Sequence, residues 1–155
     1  MTCIKEARTK TELEAVKRLF KEYAQSLPFK LDFQNFDLEL ESLPGGYAPP
    51  KGCLLLAFFN QQVAGCVALR ELNSNICEMK RLYVKPEFRR LKIGKRLAEA
   101  LIVKAKELNH TEMRLDTVPS MASAQKLYSA LGFEEISAYC HNPITGACYR
   151  RLILG

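Results

Sequence analysis

Apolar and polar positions alternate along this chain with two different periods. Leu13, Val16, Phe20, Tyr23, Ala24 and Leu27 recur at three- and four-residue intervals, the spacing of one helix face. Thr11 and Glu14 fit a capping box, and Pro28 is expected to end that helix. Phe33, Phe36, Leu40 and Leu43 predict a second, weaker helix over Phe33–Leu43, followed by the stiff loop Pro44–Pro50. Cys53–Phe59 is a continuous apolar run, Asn60-Gln61-Gln62 reads as a turn, and Val63–Arg70 returns as a strand, which makes a hairpin. Ile76–Val84 adds a third strand that Pro86 stops, because proline lacks the N–H that a sheet ladder uses. Ile93, Leu97, Ala100, Leu101, Ala105 and Leu108 then form a helical stripe. Thr111–Thr117 is a short strand. Ser120 is expected to cap a helix bearing Ala124, Leu127, Tyr128 and Leu131, closed by Gly132, and Phe133–Ala138 and Ala147–Leu154 are the last strands.

With Met1–Arg8 as an opening strand, the order is β-α-α-β-β-β-α-β-α-β-β. A helix joins Ile76–Val84 to Thr111–Thr117, so these two strands can run parallel. The reading is an α/β fold with a sheet of mixed direction and helices on both faces. The 155 residues fit one domain, and no repeat or linker divides them.

Composition narrows the classes. No apolar run reaches the roughly 20 residues of a membrane helix. The opening MTCIKEARTK lacks the basic-then-apolar layout of a signal peptide, so the expected location is the cytoplasm. Six cysteines occur without a CxxC pair. Four of them fall in expected strands or beside apolar residues, so they read as small core residues in a reducing compartment, and no metal is expected. The net charge of +6 raises nucleic acid as a partner, but the densest basic cluster is one short loop and not a stripe. A compact anion such as a pyrophosphate suits a local cluster better.

That loop carries Arg89, Arg90, Lys92, Lys95 and Arg96 between the strand Ile76–Val84 and the helix starting at Ile93. A strand, a cationic turn and a helix N-terminus make a phosphate-binding arrangement. Free N–H groups point outward there, and the helix dipole adds partial positive charge.

These residues resemble the GCN5-related N-acetyltransferases (GNAT). The family's acyl-CoA motif, Gln/Arg-x-x-Gly-x-Gly/Ala, aligns with Arg89-Arg90-Leu91-Lys92-Ile93-Gly94. Arg81-Leu82-Tyr83-Val84-Lys85-Pro86 resembles the strand before that loop, and Ala124-x-x-Leu127-Tyr128-x-x-x-Gly132-Phe133 resembles the family's closing helix and strand. The resemblance spans nearly the whole chain. It departs at Lys92, where the motif has its first glycine, and at Met121, where many members carry an asparagine.

The resemblance implies a GNAT-like mixed, mostly antiparallel central sheet of about seven strands with helices on both faces, splayed between the fourth and fifth strands. It implies acetyl-CoA as cosubstrate, held by the backbone of Leu82, Tyr83 and Val84 and by the loop Arg89, Arg90, Leu91, Lys92, Ile93, Gly94 and Lys95. It implies direct acetyl transfer in a ternary complex to the primary amine of a small molecule. An acyl-CoA-binding module with little catalysis, or an acetyltransferase for protein N-termini or lysines, stands as the alternative, and a homodimer is within the family's range. Tyr128 matches the family's tyrosine acid, although an apolar helix face would also hold a core tyrosine. The base is expected at Glu78, which starts the central strand, or at Asp116, where some members carry a carboxylate. Period-two alternation puts Lys80, Leu82 and Val84 on the face of Glu78 and Arg81 on the opposite face. Arg81 can clamp a substrate carboxylate or pair with an acidic neighbour. Tyr139, His141 and Asn142 sit in a late loop able to close over the acceptor, and His141 is open to a base role.

Overall fold

The computed structural model describes residues 1–31 and 35–155. Its strands are β1 (Thr2–Glu6), β2 (Cys53–Phe59), β3 (Gln62–Asn73), β4 (Ile76–Val84), β5 (Glu112–Thr117), β6 (Glu134–Ile136) and β7 (Cys148–Ile153). Its α-helices are α1 (Lys10–Ser26), α2 (Phe36–Ser42), α3 (Ile93–Glu107) and α4 (Ala122–Ala130). The strands form one sheet in the order β1-β2-β3-β4-β5-β7-β6. Every pairing is antiparallel except β4 with β5. The mixed seven-stranded sheet agrees with the expected fold class.

Two apolar layers cover the sheet. On one face α3 and α4 pack Ile93, Leu97, Leu101 and Tyr128 against Leu55, Val67, Cys77 and Met79. On the other, α1 and α2 pack Val16, Leu19, Phe20 and Phe36 against Leu54, Leu56, Cys66, Ala68 and Tyr83. The apolar run of β2 is explained by this geometry, since a strand covered on both faces has no polar side.

Two helix starts differ from the expectation. The capping box of α1 is Thr9 with Glu12, not Thr11 with Glu14: the Glu12 N–H donates to Thr9 Oγ1 at 3.2 Å, and the Thr9 N–H donates to Glu12 Oε1 at 2.9 Å. Both pairs satisfy the same spacing, and the earlier one places two more residues in the helix. Helix α4 begins after Met121 with no side-chain cap, so Ser120 does not cap it. Its C-terminal end follows the expectation: Gly132 adopts φ +97°, the left-handed region that suits glycine, and the Phe133 N–H donates to the Tyr128 carbonyl. Phe33, placed by periodicity at the start of the second helix, lies outside the described residues, and α2 is shorter than expected.

The largest difference lies within β4. Ala68 of β3 opposes Lys80 and Cys66 opposes Tyr83, so Val67 alone faces both Arg81 and Leu82. This is a β-bulge, and Arg81 takes φ +60° to form it. The extra residue shifts the alternation by one. Cys77 and Met79 face α3 before the bulge, and Leu82 and Val84 face it afterwards. Arg81 therefore shares a face with Glu78 and Lys80 and does not oppose them, while Leu82 and Val84 leave that face. A strict two-residue period assumes an unbroken ladder, which Arg81 interrupts.

Candidate active site

Strands β4 and β5 pair only from Ile76 with Glu112 to Glu78 with Arg114. Beyond Glu78 they separate, and among the described residues the β5-facing edge of Leu82–Val84 has no strand partner. A cleft of about 1010 Å³ opens along this edge, walled by α1, α4 and the basic loop. Leu82, Tyr83, Val84, Arg89, Arg90, Lys92, Ile93 and Gly94 all line it, while Leu91 and Lys95 do not.

The loop ends the cleft with a row of amides. Phe88 N–H and Arg89 N–H are used within the short helical turn after Pro86, and Arg96 N–H donates to the Lys92 carbonyl. Among the described residues, the N–H groups of residues 90–95 make no backbone hydrogen bond outside α3, and its helical ladder begins only at Arg96. Arg90 and Lys92 both have positive φ, +69° and +61°, so the chain turns tightly and aims these amides outward. Arg89 braces the turn by donating from Nε to the Val84 carbonyl at 3.1 Å. A Cβ on Gly94 would lie 3.7 Å from Val84 Cγ2, an ordinary contact, so this glycine keeps the helix start close to the strand end without being forced by a clash.

A second, small chamber of about 60 Å³ lies deeper between the splayed strands. Tyr23, Leu82, Met121 and Ala124 border both spaces, so cleft and chamber meet at these residues. Lys80 and Arg81 of β4, Asp116 of β5, Tyr128 of α4 and Asn142 of the late loop line the chamber. Asn142 Nδ2 donates to Asp116 Oδ2 at 3.0 Å, and Asn142 Oδ1 accepts from the Ile144 N–H at 3.0 Å, which locks the loop onto β5. Tyr128 is 8% exposed and packs against Phe133 with ring centroids 5.7 Å apart and the rings tilted by 60°; burial raises the pKa of its phenol. Burial likewise pushes the Tyr23 phenol up to about 12. Lys80 is shifted the other way, below the usual lysine value, because burial disfavours its charge; Glu78 and Asp116 offset part of that effect.

The chamber thus gathers Asp116, Tyr128, Arg81 and Asn142 from the residues expected by sequence. Glu78 and Tyr139 are elsewhere, bound to each other. The Tyr139 hydroxyl donates to Glu78 Oε2 at 2.6 Å, and Arg70 Nε donates to Glu78 Oε1 at 2.7 Å. Both carboxylate oxygens are engaged, Glu78 is 1% exposed, and it borders neither space. His141 borders neither space either. Arg81 is held by Glu39 of α2 through two hydrogen bonds, Nε to Oε2 at 2.9 Å and Nη2 to Oε1 at 2.8 Å.

Two titratable lining residues went unassigned from sequence. Tyr23 counted only as an apolar position of α1; its signal was a hydroxyl inside an otherwise hydrocarbon stripe, since a buried phenol generally finds polar surroundings. Lys80 counted only as a strand residue, and its cue was a lysine between Met79 and Leu82 in an otherwise covered strand.

Comparison with known proteins supplies a family context. The profile of the acetyltransferase (GNAT) family matches residues 13–133. The chain is 41% identical to an uncharacterised N-acetyltransferase of Schizosaccharomyces pombe, covering 91% of this chain and 88% of that one. Among solved structures, a GNAT-family acetyltransferase of Staphylococcus aureus superposes with a TM-score of 0.80 at 27% identity over 100% of both chains. The Salmonella typhimurium protein yncA, solved with its cofactor acetyl-CoA, shares the fold at a TM-score of 0.73 and 16% identity, over 99% of this chain and 94% of that one.

Proposed function

Because the chain belongs to the acetyltransferase (GNAT) family, we propose that it moves an acetyl group from acetyl-CoA to the primary amine of a small molecule, by direct transfer with both substrates bound. One observation carries the reading: a long cleft that ends in unpaired loop amides opens, at Tyr23, Leu82, Met121 and Ala124, onto a small chamber holding a carboxylate and a phenol.

The residues present suit acetyl-CoA. The amides of residues 90–95, reinforced by Arg89, Arg90 and Lys92, offer a diphosphate several donors together with the positive end of α3. The open edge of Leu82–Val84 offers backbone donors and acceptors to an amide-bearing pantetheine arm, as a strand would. Acetyl-CoA supplies the activated acyl carbon. The chain supplies proton handling. An amine attacks only when neutral, so a base is needed, and Asp116 is the carboxylate on the chamber wall. Asn142 holds one of its oxygens and fixes the group's direction. As the nitrogen–carbon bond forms and the carbon–sulfur bond breaks, the departing sulfur takes a proton, which the neutral Tyr128 phenol can give. Glu78, already shared between Arg70 and Tyr139, serves in this reading to hold β4 against the late loop. The whole chain acts as one acetyltransferase domain, in the cytoplasm, where its six free cysteines stay reduced.

The test has two readouts. Acetyl-CoA is expected to raise the melting temperature of the protein by mass action. A panel of amines is then expected to give amine-dependent thiol release. No thermal shift at saturating acetyl-CoA rejects the cleft assignment; a shift without thiol release rejects the transfer.

A further inference from the structure

Cleft and chamber differ in size by more than tenfold, about 1010 Å³ against about 60 Å³. The arm of a thioester therefore has room, and its acyl end has little. Asp116 and Tyr128 line the chamber and not the cleft. An acyl carbon served by both lies at the junction or beyond it, so its chain shares the chamber with the attacking amine. Met121 spans that junction. It stands on the turn between β5 and α4, where its N–H donates to the Val118 carbonyl at 3.0 Å and its carbonyl accepts from the Gln125 N–H at 3.0 Å. Gln125 Nε2 ties the same turn by donating to the Val118 carbonyl at 2.7 Å. Met121 borders both spaces, and its sulfur lies 3.9 Å from Oγ1 of Thr117, a 2% exposed residue of the chamber wall that does not border the cleft. An otherwise adaptable side chain is thus held at its base by the turn and at its tip by a weak hydroxyl–sulfur contact.

A chamber of about 60 Å³ holds roughly four to six water-sized groups, at roughly 10–15 Å³ each. An acetyl group brings a carbonyl carbon, an oxygen and a methyl. The attacking nitrogen and the carbon that bears it bring two more, and the chamber is then close to full. Propionyl adds one carbon and butyryl adds two, which exceeds the space. Among the described residues, Tyr23, Leu82, Met121 and Ala124 border both spaces. The Tyr23 ring is packed edge-on against Tyr83 with centroids 6.0 Å apart, Leu82 packs into the core beneath α3, and Ala124 offers only a methyl. Met121 is the one whose length fills the way. Resting on the reading of this chamber as the place of transfer, we propose that Met121 sets an upper limit on acyl length, admitting acetyl, accepting propionyl poorly and excluding butyryl. The bonds that change are the same for each donor: the nitrogen–carbon bond forms, the carbon–sulfur bond breaks, the amine loses a proton and the sulfur leaves as the thiol of CoA.

The experiment compares acetyl-, propionyl- and butyryl-CoA, each with the best amine of the panel and with thiol release as readout. For the wild type, kcat/KM is expected to fall about tenfold from acetyl to propionyl and about 100-fold from acetyl to butyryl, the low end of what each misfitting methylene is worth in an apolar pocket. Met121→Ala shortens the side chain at the junction and is expected to bring butyryl-CoA within about threefold of acetyl-CoA. Met121→Leu, of similar volume, is expected to keep the wild-type order, which separates bulk from the sulfur contact. A melting shift with free CoA confirms that each variant is folded; if Met121→Ala is not, Met121→Val takes its place, with butyryl-CoA expected to gain about tenfold. A wild type that uses butyryl-CoA as well as acetyl-CoA would overturn the limit and leave the transfer reading standing. A folded truncation that keeps the full discrimination would remove Met121 from the role, and so would a Met121→Leu that loses it. Absence of thiol release with every amine and every acyl-CoA would overturn the transfer reading itself, and this inference with it.

Discussion

The guanidinium of Arg81 and the carboxylate of Glu39 meet edge to edge across 42 residues of sequence, with Arg81 only 4% exposed. This pair fastens α2 to the bulge of β4. Removing the Glu39 charge deprives the buried Arg81 of this bidentate contact, so Glu39→Gln is expected to lower unfolding stability by about 3 kcal/mol in urea titration. Replacing both partners, with Glu39→Leu and Arg81→Met, is expected to be less damaging than either change alone. A single variant as stable as wild type would show that water already screens the pair.

Tyr128→Phe removes one oxygen and little volume. Turnover is expected to fall by about 100-fold, with acetyl-CoA affinity nearly intact, if the phenol protonates the departing sulfur. The pH profile follows from the direction of its shift. Burial raises the phenol above its ordinary value of 10.0, so the neutral, donating form persists at and below pH 10, and kcat is expected to show no loss from this group as pH rises to that point. Unchanged turnover in Tyr128→Phe would remove the residue from the mechanism.

The two carboxylates considered for the base separate experimentally. Asp116→Asn keeps the shape and the contact with Asn142 but cannot accept a proton, and kcat is expected to fall by about 100-fold with the melting temperature little changed. Glu78→Gln breaks a charge pair with Arg70, which is 43% exposed and therefore partly screened, so a loss of about 1 kcal/mol is expected. Its activity per folded molecule is expected to stay within about threefold of wild type, short of the smallest typical acid–base effect. The opposite pattern would return the base role to Glu78.

The limits of the sequence are visible at these residues. Apolar periodicity carried the element order because burial on one helix face or two sheet faces is a repeated, additive signal. The bulge was not legible: it depends on one non-glycine residue accepting φ +60°, and nothing in the letters Lys80-Arg81-Leu82 marks it. The α1 cap was ambiguous because Thr9 and Thr11 both precede a glutamate by three residues. The saturation of Glu78 depends on Tyr139, 61 residues later, whose loop has no periodic pattern to place it. The basic loop was easier to place, since strand, basic turn and helix start are contiguous in sequence.

Lys92 occupies a left-handed position, φ +61°, as the residue preceding α3. A side chain there costs about 1–2 kcal/mol, so Lys92→Gly is expected to stabilise the fold by about 1 kcal/mol, read by thermal melting. Acetyl-CoA binding is expected to survive, because the neighbouring amides remain in place. Complete loss of binding would show that the lysine ammonium is itself a principal contact.

The kink at Arg81 gives β4 two halves that answer to different neighbours. Upstream, Ile76 to Glu78 are stitched to β5; downstream, Leu82 to Val84 are released from it. A conservative exchange in either half leaves the other undisturbed, and removing Arg81 itself would let Leu82 face Val67 alone, so the ladder would close without a bulge. Leu82 and Val84 would still face α3 and Tyr83 would still face α1, while the contact of the kink with Glu39 would be lost. The residue that the ladder could spare is the one that seats a guanidinium against α2.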